Sequence, residues 1–286
     1  MIYIITTHYK TQKWFHLQKR YIEKYTTGPY RILCGAYNVH LPKGCKNYNI
    51  GDISDSPDSH YIQVNFLADQ VLLPQIEDDD IFLFLDCDAF PCHEGWDLEI
   101  KKYLESHDIV AVYRKEDVGM DEDYENIPHL CFFATTKKTW IENKLQWSLG
   151  FKEKEFDIDG KKHKRYIPKF ENPQVGMKER IENASLKVKE LNRTNAFNAH
   201  RVCFGVYGDL IYHHCCAIRG FENKVWEGAD FYVRKNNGLP FNEEQSYEAQ
   251  YPAIFRVNAE IWNSIWKAIN EDTDCTFVRQ YFMGKK

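Results

Sequence analysis

The sequence lacks the short motifs that identify the commonest nucleotide-binding and zinc-binding proteins. It contains no G-x-G-x-x-G and no G-x-x-x-x-G-K-S/T segment, which argues against a dinucleotide-binding fingerprint and against a P-loop. Its nine cysteines are scattered, and no two of them have C-x-x-C spacing. This pattern is typical of reduced thiols and disfavours both a disulfide framework and a structural zinc site.

The sequence also has no long apolar run and no excess of positive charge. No segment approaches the length of a membrane-spanning helix, and the N-terminus lacks the basic start and apolar stretch of a signal peptide. The formal net charge of −5 provides no overall basic character for non-specific binding to phosphates. We therefore expect a cytoplasmic protein with no membrane-spanning segment and no nucleic-acid partner. The oligomeric state stays open.

What the sequence does contain is an alternation of apolar, strand-like segments with helix-like segments along its 286 residues. Such alternation predicts an α/β domain with a mostly parallel sheet flanked by helices. Residues 151–198 are polar and charged, and we expect a lid-like insertion there with a helix near Val175–Asn192. The other predicted elements include a strand at Ile2–Thr6, a helix at Lys13–Tyr25, a strand at Tyr30–Ala36, a helix at His60–Leu73 and a C-terminal helix at Ala253–Glu271.

Two acids follow the most apolar of the predicted strands. The run Ile81–Leu85 predicts a buried strand, and Asp86 and Asp88 come directly after it. Because side chains alternate along a strand, both carboxylates are expected to project to the same side and face the surface, where they could share a divalent cation. The acids could instead only cap a turn. Close carboxylates without a cation repel each other, however, so we favour the metal site.

Together these features resemble the glycosyltransferases of the GT-A fold. The resemblance covers roughly residues 1–220, and it is carried by the segment F-L-F-L-D-C-D at 82–88, the N-terminal strand–helix–strand and a histidine late in the chain. It implies a Rossmann-like sheet in which the acids hold Mn²⁺ or Mg²⁺, and this ion bridges the diphosphate of a nucleotide sugar. It further implies a nucleotide-sugar-binding half at 1–150, an acceptor or lid half at 151–220 and a C-terminal extension at 221–286 packed on the same domain.

The resemblance implies roles for individual residues around the metal. Asp88 would bind the ion directly, and Asp86 would bind it or reach the ribose or a metal-bound water. A late H-H-x-x-x-x-R segment is similar to one found in some members. It implies His213 or His214 as a further metal ligand and Arg219 as a clamp on the diphosphate, since a guanidinium can bind phosphate in a bidentate fork.

Donor-binding residues are implied in the same way. Thr6 and Tyr9 lie where the first predicted strand ends, and Tyr9 could stack on the base or simply pack. Asn65 and Asp69 are one turn apart on the next predicted helix, where family members often contact the nucleotide or the ribose. A solvated helix face is the stronger alternative for Asp69.

The resemblance also implies roles for three residues on the acceptor side. Inverting members use an acid to deprotonate the acceptor hydroxyl, and Asp157 or Asp159 in the lid-like region would take that role. These two acids could also only form a turn that ends at Gly160. His129 opens the strand that would face the acceptor and could bind sugar hydroxyls.

The expected activity is transfer of a single sugar from a nucleotide-diphosphate sugar, with a UDP-sugar favoured, to a hydroxyl of a glycan, lipid-linked or protein-linked acceptor. The reaction would depend on a divalent metal and invert the anomeric centre, with retention as the alternative. Two other readings stay open. A phosphatase of the haloacid-dehalogenase-like kind would use Asp86 as its nucleophile, although that motif normally follows the first strand. A non-catalytic glycan-binding protein would keep the site without turnover.

Overall fold

The computed structural model describes residues 1–9, 12–42, 45–48, 59–113, 126–148, 151–158, 161–168, 173–199, 203–215 and 252–284. No helix among these residues is both long enough and apolar enough to span a membrane. The strands are β1 (Ile2–Tyr9), β2 (Tyr30–Tyr37), β3 (Ile81–Leu85), β4 (Ala89–Pro91), β5 (Ile109–Tyr113), β6 (Pro128–Thr136), β7 (Phe151–Ile158), β8 (Lys161–Pro168), β9 (Val188–Leu191), β10 (Gly205–Tyr207) and β11 (Ile211–His213). The α-helices are α1 (Gln12–Tyr25), α2 (Ser59–Phe66), α3 (Trp96–Leu104), α4 (Lys137–Glu142), α5 (Pro173–Asn183), α6 (Pro252–Glu271) and α7 (Phe277–Met283).

A six-stranded sheet in the order β2-β1-β3-β6-β5-β9 forms the centre of the fold. Strand β1 is parallel to both β2 and β3, and β5 is parallel to β9. Strand β6 is antiparallel to both of its neighbours, β3 and β5, so it alone runs against the other five. The predicted α/β class, with a mostly parallel sheet between helices, is confirmed.

The side chains of β3 show why this strand lies in the middle of the sheet. Phe82 and Phe84 pack on one face with α2, α4 and α5, whereas Leu83 and Leu85 pack on the other with α1, α3 and the C-terminal helices. All four are at most 2% exposed. A strand buried on both faces reads as a continuous apolar run, and burying each such side chain stabilises the fold by roughly 1.5–3 kcal/mol.

A second, three-stranded antiparallel sheet in the order β10-β11-β4 lies where β3 ends. In the register of β11 and β4, Tyr212 is opposite Phe90 and His213 is opposite Ala89. The His214 N–H also donates to the Asp88 carbonyl at 3.0 Å. This small sheet therefore carries the late histidine segment to the acids that follow β3.

The C-terminal helices pack on α1. Trp262 and Ile265 of α6 and Phe282 of α7 belong to the same apolar cluster as residues of α1. The Arg20 guanidinium in α1 donates to the Ile269 carbonyl at 3.1 Å. The predicted C-terminal helix is confirmed, since α6 begins one residue before the expected start and ends at the expected residue.

Two predicted helices differ from the structure. The stretch predicted as helix near Val175–Asn192 is helical only to Asn183, and Val188–Leu191 forms a strand at the sheet edge, parallel to β5. Ser185, between them, has a left-handed backbone with φ 52°, which ends the helix. The helix predicted at His60–Leu73 is α-helical only to Phe66, then continues as a π-helical turn at Leu67–Leu72 and a 3₁₀ turn at Leu73–Gln75 that contains Pro74.

Candidate functional site

The two predicted metal-binding acids lie in a tight turn at the carboxyl end of β3. The strand ends at Leu85, and the Ala89 N–H donates to the Asp86 carbonyl at 2.9 Å, which closes the turn. The expectation that strand alternation directs the two side chains is therefore wrong. The turn nevertheless keeps one ligand atom each of Asp86, Cys87 and Asp88 within 4.8 Å of one another. Carboxylates at this spacing can share one divalent cation.

Asp88 is paired with His213. Asp88 Oδ1 lies 3.3 Å from His213 Nε2, and both side chains are only 4% exposed, so the expectation that Asp88 faces the surface is wrong. Burial by itself would lower the pKa of His213, but the adjacent Cys131 and the Asp88 carboxylate raise this pKa well above its usual value. The structure thus brings His213 and one acid of the predicted metal site into direct contact.

His214 lies in a different environment from its neighbour. Its ring is fully buried, with ring centroids 5.0 Å from Trp14 and 4.8 Å from Trp262, and its Nδ1 lies 2.9 Å from the Tyr212 hydroxyl. Burial lowers the pKa of His214 to about 3, so the ring is neutral. Of the two histidines implied as metal ligands, the geometry favours His213, and His214 is a core residue.

A glutamine from α1 binds the backbone of the turn that contains Asp86 and Asp88, which we call the acidic turn. Both amide hydrogens of Gln18 are used, because Nε2 lies 2.7 Å from the Asp86 carbonyl and 2.8 Å from the Ala89 carbonyl. Oε1 of Gln18 accepts only, so His8 Nε2 at 3.1 Å is the donor of that bond. Burial lowers the pKa of His8 to about 4, which keeps the ring neutral.

Sequence reasoning missed Gln18, although a signal existed. Gln18 lies on the stripe of α1 that also buries Trp14, Tyr21 and Ile22, at spacings of three and four residues. Gln18 itself is only 1% exposed. Since a buried polar side chain needs hydrogen-bond partners, a glutamine on an apolar stripe predicts a buried polar network.

A second missed residue is His60, near the start of α2. Its Nε2 lies 3.9 Å from Asp86 Oδ1, beyond hydrogen-bonding distance, while its Nδ1 lies 2.9 Å from the Thr7 hydroxyl. Oδ1 of Asp86 also accepts from the Cys87 N–H at 2.8 Å. His60 therefore flanks the more exposed acid, on the side where β1 ends.

The predicted donor-binding residues are divided between the site and the core. Thr6 is fully buried, and its hydroxyl lies 3.2 Å from His8 Nε2, next to the network under the turn. Tyr9 ends β1 and stacks on Tyr37, with 5.4 Å between ring centroids. The structure leaves their donor contacts as predictions.

Asn65 and Asp69 face the apolar cluster on the side of α4. The Asn65 amide exchanges two hydrogen bonds of 3.1 Å with the backbone of Trp147. Asp69 Oδ1 accepts from the indole N–H of Trp140 at 2.9 Å, and burial raises the pKa of Asp69. Both side chains thus hold the α2 segment against the neighbouring structure.

The predicted acceptor-side residues are placed less completely. Asp157 lies in β7, which pairs with β8 in an antiparallel hairpin where Asp157 is opposite Lys162. Asp159 and Arg219 lie outside the described residues. His129 is the second residue of β6, and its ring centroid lies 5.5 Å from that of His213.

Comparison with known proteins adds little at the level of sequence. A scan against protein-family models and a search of curated proteins found no match. Among solved structures, the galactosyltransferase LgtC in complex with donor and acceptor sugar analogs overlaps 85% of this chain and 98% of its own, with a TM-score of 0.41 and 15% identity. A protein from STIV overlaps 75% of this chain and 95% of its own, with a TM-score of 0.34 and 15% identity. Likeness at this level assigns no function.

The chemistry of the site follows from its donor atoms. The carboxylates of Asp86 and Asp88 and the imidazole of His213 are groups that bind divalent cations. They lie at the carboxyl end of β3, the edge of an open α/β sheet at which ligands bind. A cation held there would in turn attract a phosphate or diphosphate.

Proposed function

We propose that this chain is a divalent-metal-dependent glycosyltransferase that moves a single sugar from a nucleotide-diphosphate sugar to a hydroxyl of a glycan or glycoconjugate. The observation that carries the proposal is the pair of acids after β3, with His213 at 3.3 Å from Asp88. A UDP-sugar donor, an inverting mechanism, and a lipid-linked or protein-linked acceptor are the finer parts of the same proposal.

The residues present fit a hard divalent cation such as Mn²⁺ or Mg²⁺. Asp86, Asp88 and His213 supply carboxylate oxygens and an imidazole nitrogen, a donor set that such ions accept. The Nε2 nitrogen of His60 at the site is buried with no hydrogen-bond partner among the described residues. When bound, the cation would stabilise the negative charge that develops on the leaving nucleoside diphosphate.

The chain's own residues would orient the donor. Gln18 fixes the backbone of the acidic turn through the carbonyls of Asp86 and Ala89, so the carboxylates are positioned before a ligand arrives. The Nε2 of His60, 3.9 Å from Asp86 Oδ1, is placed to contact a phosphate or ribose oxygen that approaches this acid. These contacts favour a ligand that carries phosphate.

The remaining assignments extend the proposal. Tyr9 and Thr6 would border the base, Asn65 and Asp69 would lie behind the nucleotide, and Arg219 would bind the diphosphate. Asp157 or Asp159 would deprotonate the acceptor hydroxyl. Residues 1–150 would then form the donor half and 151–220 the acceptor half, with 221–286 as an extension.

The proposal is tested by the thermal stability of the protein with nucleotides. UDP, GDP, CMP and their sugars are screened with and without Mn²⁺, and one of them is expected to raise the melting temperature only when the metal is present. A ligand at 100 times its dissociation constant adds about 2.7 kcal/mol, which corresponds to a rise of roughly 5 °C for a domain of this size.

Variants make the test specific. Asp88→Asn should abolish the metal-dependent shift. Asp79→Asn, which changes an exposed residue before β3, should keep it. Release of nucleoside diphosphate on addition of glycan acceptors is the matching activity assay. The absence of any metal-dependent shift in the wild type contradicts the proposal. If the wild type hydrolyses a phosphate monoester and Asp86→Asn does not, the result supports the alternative that the protein is a phosphatase with Asp86 as its nucleophile.

A further inference from the structure

A second group of potential metal ligands adjoins the acidic turn. One ligand atom each of His129, Cys131 and His213 lies within 4.8 Å of the others. The Cys131 side chain is fully buried, His213 is 3% exposed, and His129 is half-buried. The group is thus a compact set of two imidazoles and one thiol, reached from the side of His129.

The sheet topology explains why these three side chains meet. His129 and Cys131 are two residues apart in β6, where its register with β5 shifts, and the Cys131 N–H donates to His129 Nδ1 at 3.0 Å. The Asp86 N–H donates to the Cys131 carbonyl at 3.2 Å, which places Cys131 beside the acidic turn. His213 arrives on β11, opposite Ala89 of β4. Two separate sheets therefore converge on one point.

The donor atoms differ in kind from those of the acidic turn. Asp86 and Asp88 offer oxygen, which hard ions such as Mg²⁺ and Mn²⁺ prefer. Two imidazoles and a thiolate suit a borderline ion such as Zn²⁺ or Co²⁺. Ligand atoms around a tetrahedral zinc ion are separated by roughly 3.5 Å, so a group already within 4.8 Å needs only small side-chain rotations.

Asp88 is placed to orient His213 in such a site. His213 Nε2 lies 3.3 Å from Asp88 Oδ1, while Nδ1 is buried with no hydrogen-bond partner among the described residues. A carboxylate that accepts from one ring nitrogen leaves the other nitrogen as the metal ligand, an arrangement common around protein-bound zinc.

His129 is the weakest of the three ligands. Its Nδ1 accepts from the Cys131 N–H at 3.0 Å, which puts the proton of the neutral ring on Nε2. Coordination by His129 therefore has to displace this hydrogen bond. Cys131 and His213 carry the site, and His129 adds to it.

We infer that His129, Cys131 and His213 bind a borderline divalent cation such as Zn²⁺, at a site that shares His213 with the cation site of the acidic turn. Binding transfers to solvent both the thiol proton of Cys131 and the Nδ1 proton that His213 carries when its ring is charged, and it forms a metal–thiolate bond. A neutral imidazole has one unprotonated nitrogen, so His213 can bind only one ion at a time. A borderline ion at this site therefore competes with the hard ion of the proposed function. Zinc is then an inhibitor of nucleotide binding.

The test uses Co²⁺ alone as the probe and the full chain as the sample. A thiolate bound to Co²⁺ gives a ligand-to-metal charge-transfer absorption in the near ultraviolet that carboxylate or imidazole ligands do not give. We expect this band at one equivalent of Co²⁺ in the wild type and its loss on addition of Zn²⁺. A wild type without the band overturns the inference.

Variants assign the thiol. Cys131→Ser should lose the band, whereas Cys87→Ser, a matched control because Cys87 is also buried and lies between the two acids, should keep it. His129→Ala changes a half-buried residue that leaves the core intact, and it should weaken Co²⁺ binding by about tenfold or more. A band that survives in Cys131→Ser, or Co²⁺ affinity unchanged in His129→Ala, contradicts the site.

The result separates this inference from the proposed function. Cys131 is not part of the oxygen-rich set, so Cys131→Ser should keep the Mn²⁺-dependent response to nucleotide and lose only its inhibition by Zn²⁺. A cobalt band without any nucleotide response supports this site and contradicts the glycosyltransferase proposal. A nucleotide response without a cobalt band does the reverse.

Discussion

Replacing Gln18 by leucine tests whether the acidic turn is held from below by α1. The substitution keeps a side chain of similar size but removes both donors to the Asp86 and Ala89 carbonyls, at 2.7 and 2.8 Å. It also removes the acceptor at 3.1 Å from the Nε2–H of His8, which then has only the Thr6 hydroxyl, at 3.2 Å, among the described residues. The Asp86 carbonyl keeps the Ala89 N–H. The three lost hydrogen bonds of Gln18, at about 1 kcal/mol each, give a loss of about 3 kcal/mol.

The assay is urea unfolding of wild type and variants, followed by the Mn²⁺-dependent thermal shift with nucleotide. Gln18→Glu has the shape of glutamine but presents oxygen to the two carbonyls, so it should be at least as destabilising. Gln75→Leu is the control, because that exposed glutamine donates to the Val71 carbonyl of its own segment and to no other group among the described residues. The stability of this variant should differ from that of the wild type by less than about 0.5 kcal/mol. A Gln18→Leu protein within 1 kcal/mol of wild type, with the full metal-dependent shift, would refute the positioning role.

Two further predictions concern neighbouring buried groups. The pKa of His214 is about 3 in the folded protein, against 6.5 for an ordinary histidine. Between these two values the unfolded chain binds a proton at His214 that the folded protein does not bind. The stability that neutral His214 contributes is therefore present above pH 6.5 and is lost as the pH falls toward 3. At about 1.4 kcal/mol per pH unit, the wild type should lose roughly 2 kcal/mol between pH 6.5 and about pH 5 that His214→Phe does not lose; parallel urea-unfolding profiles would contradict this. Asp69→Asn keeps the acceptor for the Trp140 indole and should leave stability nearly unchanged, as measured by urea unfolding, so a lost nucleotide response in that variant would establish the predicted donor contact.

The sequence was informative where a strong local pattern coincided with the tertiary structure. Five consecutive apolar residues predicted a strand buried on both faces, and the two phenylalanines and two leucines at its centre and end do divide between the two cores. The acids after it also lie at the carboxyl end of that strand. Where the pattern stopped, prediction weakened. The chain leaves the strand at Leu85 and turns, so alternation no longer governed Asp86 and Asp88.

Other features depended on pairing between segments distant in the sequence. Only the register of β11 with β4 decides that His213 meets Asp88 while His214 enters the aromatic core. The strand at Val188–Leu191 forms because it completes the sheet edge beside β5, although the surrounding charged sequence resembles a helix. The secondary-structure propensity of a local segment cannot predict such contacts, since each contact depends on a partner many residues away.

The acidic turn is held mainly through its backbone. Gln18 binds the carbonyls of Asp86 and Ala89, β6 accepts from the Asp86 N–H through Cys131, and the Asp88 carbonyl accepts from the His214 N–H at 3.0 Å. Carboxylates within 4.8 Å of each other repel by about 3 kcal/mol at the effective dielectric constant of roughly 20 that suits protein sites. These backbone bonds keep the acids close despite that repulsion. Because the carboxylates are already close together, a cation that binds there does not have to bring its ligands together. Its positive charge also removes the repulsion between them, which adds to its affinity.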